Sequence, residues 1–190
     1  MKIGLFFGSF NPIHVGHLIL ANTMVQTADL DQVWIIVSPQ NPFKKNLSLL
    51  HEFDRYTMVE RAIASNSRLK VSDVEFSLPR PSYTIDTLTV LAAKHPEHHF
   101  SIIMGEDNLV QLKNWKNYQQ ILDHYRILVY PRPKTPPHDF GSHPSVQFID
   151  APLLDISATD IRKSIKEGRD ISYLVTEPVE QLIGLKKYYI

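Results

Sequence analysis

Apolar and polar positions along the chain alternate between two periods. Lys2 to Phe7 is a short apolar run of the kind a buried parallel strand carries. Gly8 to Pro12 breaks it with turn residues. Leu18, Ala21, Val25 and Ala28 then recur at steps of three, four and three, which predicts an amphipathic helix. Gln32 to Val37 predicts a second buried strand, closed by Ser38-Pro39. The pattern repeats with a helical face at Phe53, Tyr56, Val59 and Ile63 and a short strand from Leu69 to Val74. Ile85, Leu88, Leu91 and Ala92 mark another helix, and His99 to Met104 another strand. Ile121 and Leu122 close a short helix before a strand from Tyr125 to Tyr130. Strands alternating with helices at this spacing imply an α/β fold, a doubly wound parallel sheet covered on both faces.

The remainder reads as a proline-rich stretch and two helices. Pro131 to Pro144 holds five prolines and two histidines and predicts an exposed loop. Val146 to Ile149 fits a last strand. Ser157 to Lys166 predicts a helix with Ile161 and Ile165 on one face and Gly168 as its stop. Pro178 suits the first turn of a final helix running to about Leu182. With no internal repeat and no long linker, residues 1–190 are expected to form one domain, helical from about residue 157 onward.

Composition narrows the function classes. The absence of cysteine excludes disulfides, thiolate zinc sites and cysteine nucleophiles. Twenty Lys and Arg balance twenty Asp and Glu, giving a net charge of +0, so binding to nucleic acid through a general phosphate field is not expected. No run approaches the roughly 18 to 20 apolar residues of a membrane span. Gly8 to Pro12 also cuts the first apolar run too early for a signal peptide. A soluble cytoplasmic protein with no membrane partner is the starting expectation, its oligomeric state open and a homo-oligomer allowed. Of the nine histidines, His95, His98 and His99 flank Pro96 and Glu97 and read as a polar turn.

The informative segment is Gly8-Ser9-Phe10-Asn11-Pro12-Ile13-His14-Val15-Gly16-His17. It joins a predicted strand to a predicted helix at the strand's carboxyl end, where open α/β sheets bind ligands. Gly8 and Ser9 let backbone N–H groups approach an anion, and the helix start adds its positive dipole end. His14 and His17, three apart, share one side of the first turn. Gly16 leaves room between them for something to sit against the backbone. Two imidazoles there can donate to phosphoryl oxygens, and a neighbouring anion favours their charged form. A metal pair is the other chemical reading, but no nearby Cys, Asp or Glu completes a set. A plain structural pair is the third.

This segment resembles the (H/T)xGH motif of the nucleotidyltransferase superfamily, and in its longer form it is similar to the bacterial nicotinate-nucleotide adenylyltransferases. Further segments carry the resemblance in order along the chain. Ile156-Ser157-Ala158-Thr159-Asp160-Ile161-Arg162 resembles the superfamily's ISSTxxR block, with Ala158 in place of the second serine. Pro81-Ser82-Tyr83-Thr84-Ile85-Asp86-Thr87-Leu88 is similar to SYTxDT, Gly105-Glu106-Asp107 to GxD, and Pro42-Phe43-Lys44-Lys45 to P-x-K. Trp115-Lys116 stands in the polar stretch between them.

The resemblance implies a Rossmann-like fold and a reaction of ATP with nicotinate mononucleotide that gives nicotinate adenine dinucleotide and pyrophosphate. It implies an ATP side made by Gly8, Ser9, Phe10, His14, Gly16, His17, Lys44, Ser157, Thr159 and Arg162. The substrate side would hold Asn11, Ser82, Tyr83, Thr84, Thr87, Gly105, Asp107, Trp115 and Lys116. There Trp115 would stack on the pyridine ring, and the Lys116 amide would help hold its carboxylate. His14, His17 and Arg162 are the expected catalytic residues. Mg²⁺ is the implied cofactor, held by phosphates and waters with no assigned protein ligand, because it dehydrates reluctantly. The nucleophile is already anionic, so catalysis is positioning and electrostatics and needs no covalent intermediate. Pantetheine-phosphate adenylyltransferase, a cytidylyltransferase or a catalytically silent nucleotide sensor are the alternatives.

Overall fold

In a computed structural model, residues 1–40, 49–133 and 135–190 are described. Six parallel strands form one sheet: β1 (Lys2–Gly8), β2 (Gln32–Val37), β3 (Leu69–Ser72), β4 (His99–Gly105), β5 (Arg126–Tyr130) and β6 (Val146–Phe148). Their order across the sheet is β3-β2-β1-β4-β5-β6. The chain therefore runs outward from β1 to β3, returns to the other side of β1 with β4, and runs outward again. That reversal opens a crevice at the carboxyl ends of β1 and β4, the switch point at which doubly wound sheets bind ligands. Register places Gly8 beside Val37 and Gly105 beside Tyr130, so the loops that leave these strands start at one level.

The helices α1 (Val15–Thr27), α2 (Glu52–Ile63), α3 (Thr84–Lys94), α4 (Glu106–Val110), α5 (Tyr118–His124), α6 (Ala158–Lys166) and α7 (Glu177–Lys186) cover both faces. On one face Phe6, Ile35 and Leu128 pack with Val25 of α1, Met58 of α2, Ile161 of α6 and Leu182 of α7. On the other, Leu5, Ile102 and Ile127 pack with Leu88 of α3 and Leu122 of α5. Burial of both faces explains why the central strands β1, β2, β4 and β5 read as largely apolar runs, while the edge strands β3 and β6 carry polar residues. Leu88 is 0% exposed, and truncating it to Ala would cost on the order of 2–5 kcal/mol. Because α6 and α7 share the core of α1 and α2, the expected C-terminal helices are built into the sheet's cover.

Two expectations need correction. The third strand ends at Ser72, and Val74–Ser77 forms a 3₁₀ turn that sends Glu75 inward. The buried face of α2 is also rotated from the predicted one. Phe53 is 58% exposed, whereas Arg55 is 0% exposed and lies beside Met58 and Val59 in the interior. Among the described residues no helix is long and apolar enough to cross a membrane.

Candidate active site

The loop after β1 is held from beneath by Arg55. Its guanidinium donates to the carbonyl of Ser9 at 2.5 Å, of Ser38 at 2.8 Å and of Pro39 at 3.2 Å, while Nε reaches Leu50 O at 2.9 Å. One buried cation thus joins the loops leaving β1 and β2 and satisfies carbonyls that would otherwise be lost to water. Burial lowers its pKa to about 10, which leaves it charged at neutral pH.

Above this floor, the helix start fixes both histidines. His14 occupies the N-cap of α1 in an extended conformation, and its backbone N–H donates to His17 Nδ1 at 3.3 Å. A neutral His17 therefore carries its proton on Nε2 and is a donor from that side. The two rings stack with centroids 3.6 Å apart at 24°, and Phe10 packs edge-on against His17 with ring centroids 5.0 Å apart. A Cβ on Gly16 would stand 3.1 Å from His14 Nδ1, so the glycine is what allows the His14 ring to lie against the turn. Burial first, then the Arg132 guanidinium, lowers the His14 pKa from 6.5 to about 4. Burial, His14 and Arg132 hold His17 well below its ordinary value too. Both imidazoles are neutral at pH 7 without a ligand, and an anion beside them would reverse the electrostatic part of that preference.

Opposite the pair stands the start of α6. Ser157 is its N-cap: Oγ accepts from Asp160 N at 3.1 Å and donates to the Asp160 carboxylate at 2.6 Å. The Ser157 hydroxyl and the Asp160 amide are thus engaged with each other, and the amides of Ala158 and Thr159 at the helix start are what remains for an anion. Arg162, one turn on, donates to Thr159 Oγ1 at 3.3 Å and to the carbonyl of Asn11 at 2.7 Å. That second bond clips α6 to the loop after β1.

The far wall comes from the segment entering α3 and the segment after α4. Ser82, Tyr83 and Thr84 face Trp115 and Lys116 across the same cavity. Lys116 Nζ bridges both oxygens of Asp86 at 2.9 and 2.8 Å and lies 5.1 Å over the Tyr83 ring. Gly105 and Asp107 line the floor at the end of β4, where a Cβ on Gly105 would collide with the Asp107 carboxylate.

All these surfaces bound one cavity of about 830 Å³. It brings together Gly8, Ser9, Phe10, Asn11, His14, Gly16, His17, Ser82, Tyr83, Thr84, Gly105, Asp107, Trp115, Lys116, Ser157, Thr159 and Arg162. Thr87 departs from the expectation. It is 0% exposed and does not line the cavity; its hydroxyl donates to Glu75 Oε1 at 2.8 Å. One turn into α3, Thr87 faces inward and meets the Glu75 carboxylate. Lys44 lies outside the described residues.

Comparison with known proteins gives the arrangement a family. Residues 5–164 match the model of the cytidylyltransferase-like family. A probable nicotinate-nucleotide adenylyltransferase of Cytophaga hutchinsonii is 61% identical over 189 residues, covering 100% of this chain and 98% of the relative. One of Flavobacterium johnsoniae is 51% identical over 191 residues, covering 100% and 99%. The chain belongs to the nicotinate-nucleotide adenylyltransferase family. The fold is that of the Plasmodium falciparum nicotinic acid mononucleotide adenylyltransferase complexed with NaAD, with a TM-score of 0.83 at 19% identity, covering 99% of this chain and 97% of that one.

Within this family member, four site residues escaped the sequence reading. Glu75 lines the cavity at 2% exposure, its carboxylate accepting from Ser82 Oγ and from Thr87 Oγ1. An acid inside the apolar Val74-Glu75-Phe76 stretch was the available signal. Arg132 stands at the carboxyl end of β5, its guanidinium 5.1 Å over the Tyr130 ring, and its Nε is buried with no hydrogen-bond partner among the described residues. Its position directly after a predicted strand could have pointed to it. Arg55 sits in step with Met58 and Val59. Tyr189, which donates to Asn11 Oδ1 at 2.9 Å, gave no signal at all.

Proposed function

We propose that this chain transfers the adenylyl group of ATP to nicotinate mononucleotide, yielding nicotinate adenine dinucleotide and pyrophosphate in NAD biosynthesis. The single observation that carries the reading is the division of the cavity. A cationic and N–H-rich end, made by His14, His17, Arg132, Arg162 and the start of α6, suits a triphosphate. An aromatic and hydroxyl-bearing end, made by Ser82 to Thr84 and Trp115, suits a flat ring and ribose.

The chemistry is a displacement in line at the α-phosphate. A phosphate oxygen of the mononucleotide forms the new O–P bond as the bond to the β-phosphate oxygen breaks, and pyrophosphate leaves with the electron pair. His17 Nε2–H donates to the α-phosphate as charge builds there, and His14 supports it through the ring stack. Arg162 and the first-turn amides of α6 hold the β- and γ-phosphates, the leaving group. Trp115 stacks on the pyridine ring, and Ser82, Tyr83, Thr84, Lys116, Gly105 and Asp107 orient the acceptor. Thr87 acts from behind through Glu75, whose carboxylate fixes Ser82.

The reaction calls for a divalent cation, which neutralises phosphate charge, and Mg²⁺ suits phosphate oxygens best. The donor set fits an ion held by its substrate. Of the carboxylates lining the cavity among the described residues, Glu75 accepts from Ser82 and Thr87 and Asp107 pairs with Arg132 Nε at 3.7 Å, so phosphate oxygens and waters would hold the ion. We read residues 1–190 as one nucleotidyltransferase unit, since α6 carries Arg162 and shares the core of the sheet, and its small soluble substrates suit a place in the cytoplasm.

Pyrophosphate release from ATP and Mg²⁺ tests the reading, with nicotinate mononucleotide, nicotinamide mononucleotide and 4′-phosphopantetheine as parallel acceptors. Turnover with the first alone is the expected result. Turnover only with the third, or ATP binding without any turnover, would overturn it.

A further inference from the structure

The chain beyond α7 returns to the catalytic loop. Lys187 and Tyr189 both adopt positive φ, 53° and 66°, conformations that non-glycine residues enter only at a cost of about 1 kcal/mol or more. The turns let two adjacent tyrosines each reach inward. Tyr188 donates to Asp54 Oδ1 at 2.7 Å on α2, and Tyr189 donates to Asn11 Oδ1 at 2.9 Å.

Asn11 is the junction. It is 2% exposed and lines the cavity. Its side-chain oxygen accepts from Tyr189 and, at 3.3 Å, from Leu50 N, while its backbone carbonyl accepts Arg162 Nη1 at 2.7 Å. With two donors on Oδ1, the carboxamide has one settled orientation, and the backbone that holds Arg162 is settled with it. Burial raises the phenol pKa of Tyr189, which keeps it a donor throughout the working pH range.

We infer that Tyr189 is a positioning residue for the leaving-group side of the site, acting through Asn11 on Arg162. The inference rests on the adenylyl-transfer reading for the role of Arg162, but its test does not depend on the acceptor. Arg162 would touch only the β- and γ-phosphates, so loosening it should weaken ATP and spare AMP. A merely structural tail would weaken both alike.

Binding of ATP with Mg²⁺, and of AMP, is measured by calorimetric titration on the full chain and on Tyr189→Phe and Tyr188→Phe. Tyr189→Phe keeps the ring and loses the donor, and one such hydrogen bond is worth about a five- to tenfold change in affinity. The expected result is that loss for ATP with AMP unchanged, while Tyr188→Phe leaves both affinities as they were. In an Arg162→Ala background, Tyr189→Phe should have no further effect on ATP. Equal losses for ATP and AMP, no loss for either, or an undiminished effect without Arg162 would overturn the inference. Turnover of the unaltered protein with nicotinate mononucleotide separately decides the underlying reading. Absence of ATP binding by the unaltered protein would overturn both.

Discussion

The backbone N–H of His14 donates to Nδ1 of His17 while the two imidazoles stack with centroids 3.6 Å apart. One residue thereby sets both the ring plane and the tautomer of the other. In His17 the remaining proton sits on Nε2, so the neutral ring is a ready donor without any protonation step. Removing that donor takes away a contact that strengthens as charge develops on the α-phosphate. His17→Ala should fold normally and lose on the order of 10² to 10³ in kcat, as for loss of one oxyanion donor. Steady-state rates beside a thermal melt check this. A folded variant with near-normal turnover would remove His17 from the chemistry.

The same pair makes stability depend on pH. The His14 pKa falls from 6.5 in an open chain to about 4 in the fold, and that of His17 falls in the same direction. Between these values the unfolded chain binds more protons than the folded one, so stability rises with pH. The contribution is complete above about 6.5 and is lost as pH falls towards 4, and for His14 it is on the order of 3 kcal/mol. Melting temperatures from pH 4.5 to 7.5 should climb in the unaltered protein and climb less in His14→Asn. Parallel curves would show that the buried imidazole does not carry the effect.

Binding should run the opposite way. Triphosphate charge beside two depressed imidazoles raises their pKa values, so ATP binding takes up protons near neutrality. Calorimetry in buffers of different ionisation enthalpy should give net proton uptake, and affinity should strengthen from pH 8 to pH 6. Arg132→Ala removes a cation that depresses both rings, and proton uptake at pH 7 should grow, because burial still keeps the free rings neutral while the ATP-bound rings titrate higher. Proton release on binding would contradict the proposed placement of the triphosphate.

What the sequence revealed follows from what a linear pattern can encode. Strands buried on both faces announce themselves through continuous apolar runs, as in Gln32–Val37, where five apolar residues follow the glutamine. The segment from Gly8 to His17 was legible because its chemistry is contiguous. Its partners Ser157 to Arg162 came through resemblance, since nothing local says that Arg162 returns to Asn11. An apolar count prefers Phe53 to Arg55 and so turns the wrong face of α2 inward. Three backbone carbonyls from the loops after β1 and β2, with that of Leu50 just before the helix, make burial of Arg55 favourable, and no periodicity shows them. Thr87 fits its motif yet points at Glu75, a carboxylate twelve residues earlier whose inward course depends on the 3₁₀ turn after β3.

That last contact separates a binding role for Thr87 from a supporting one. Thr87→Val preserves shape but withdraws a donor from a buried carboxylate, at a cost of about 1–3 kcal/mol. The melting temperature should drop by several degrees, at about 2–4 °C per kcal/mol for a chain of this size. Thr87→Ser, which retains the hydroxyl, should recover most of the loss. The KM for nicotinate mononucleotide should rise modestly through the freed Ser82. A large rise in KM with unchanged stability would instead restore Thr87 as a direct contact.

Arg55 is the most exacting case, because it touches no predicted ligand. Arg55→Met fills similar volume but leaves the carbonyls of Ser9, Ser38, Pro39 and Leu50 without their donor. Loss of one partner from a buried charged network costs on the order of 3–5 kcal/mol. Lys cannot replace it, since a single ammonium does not span carbonyls on separate loops and is more easily neutralised by burial. Both Arg55→Met and Arg55→Lys should melt at least 6 °C lower, at about 2–4 °C per kcal/mol. At a temperature where they remain folded, ATP affinity should still be reduced, because the Ser9 loop has lost its anchor. Calorimetric melts and ATP titrations at low temperature measure the two effects apart. Full ATP affinity in the folded variants would mean that the loop after β1 holds its shape without the guanidinium.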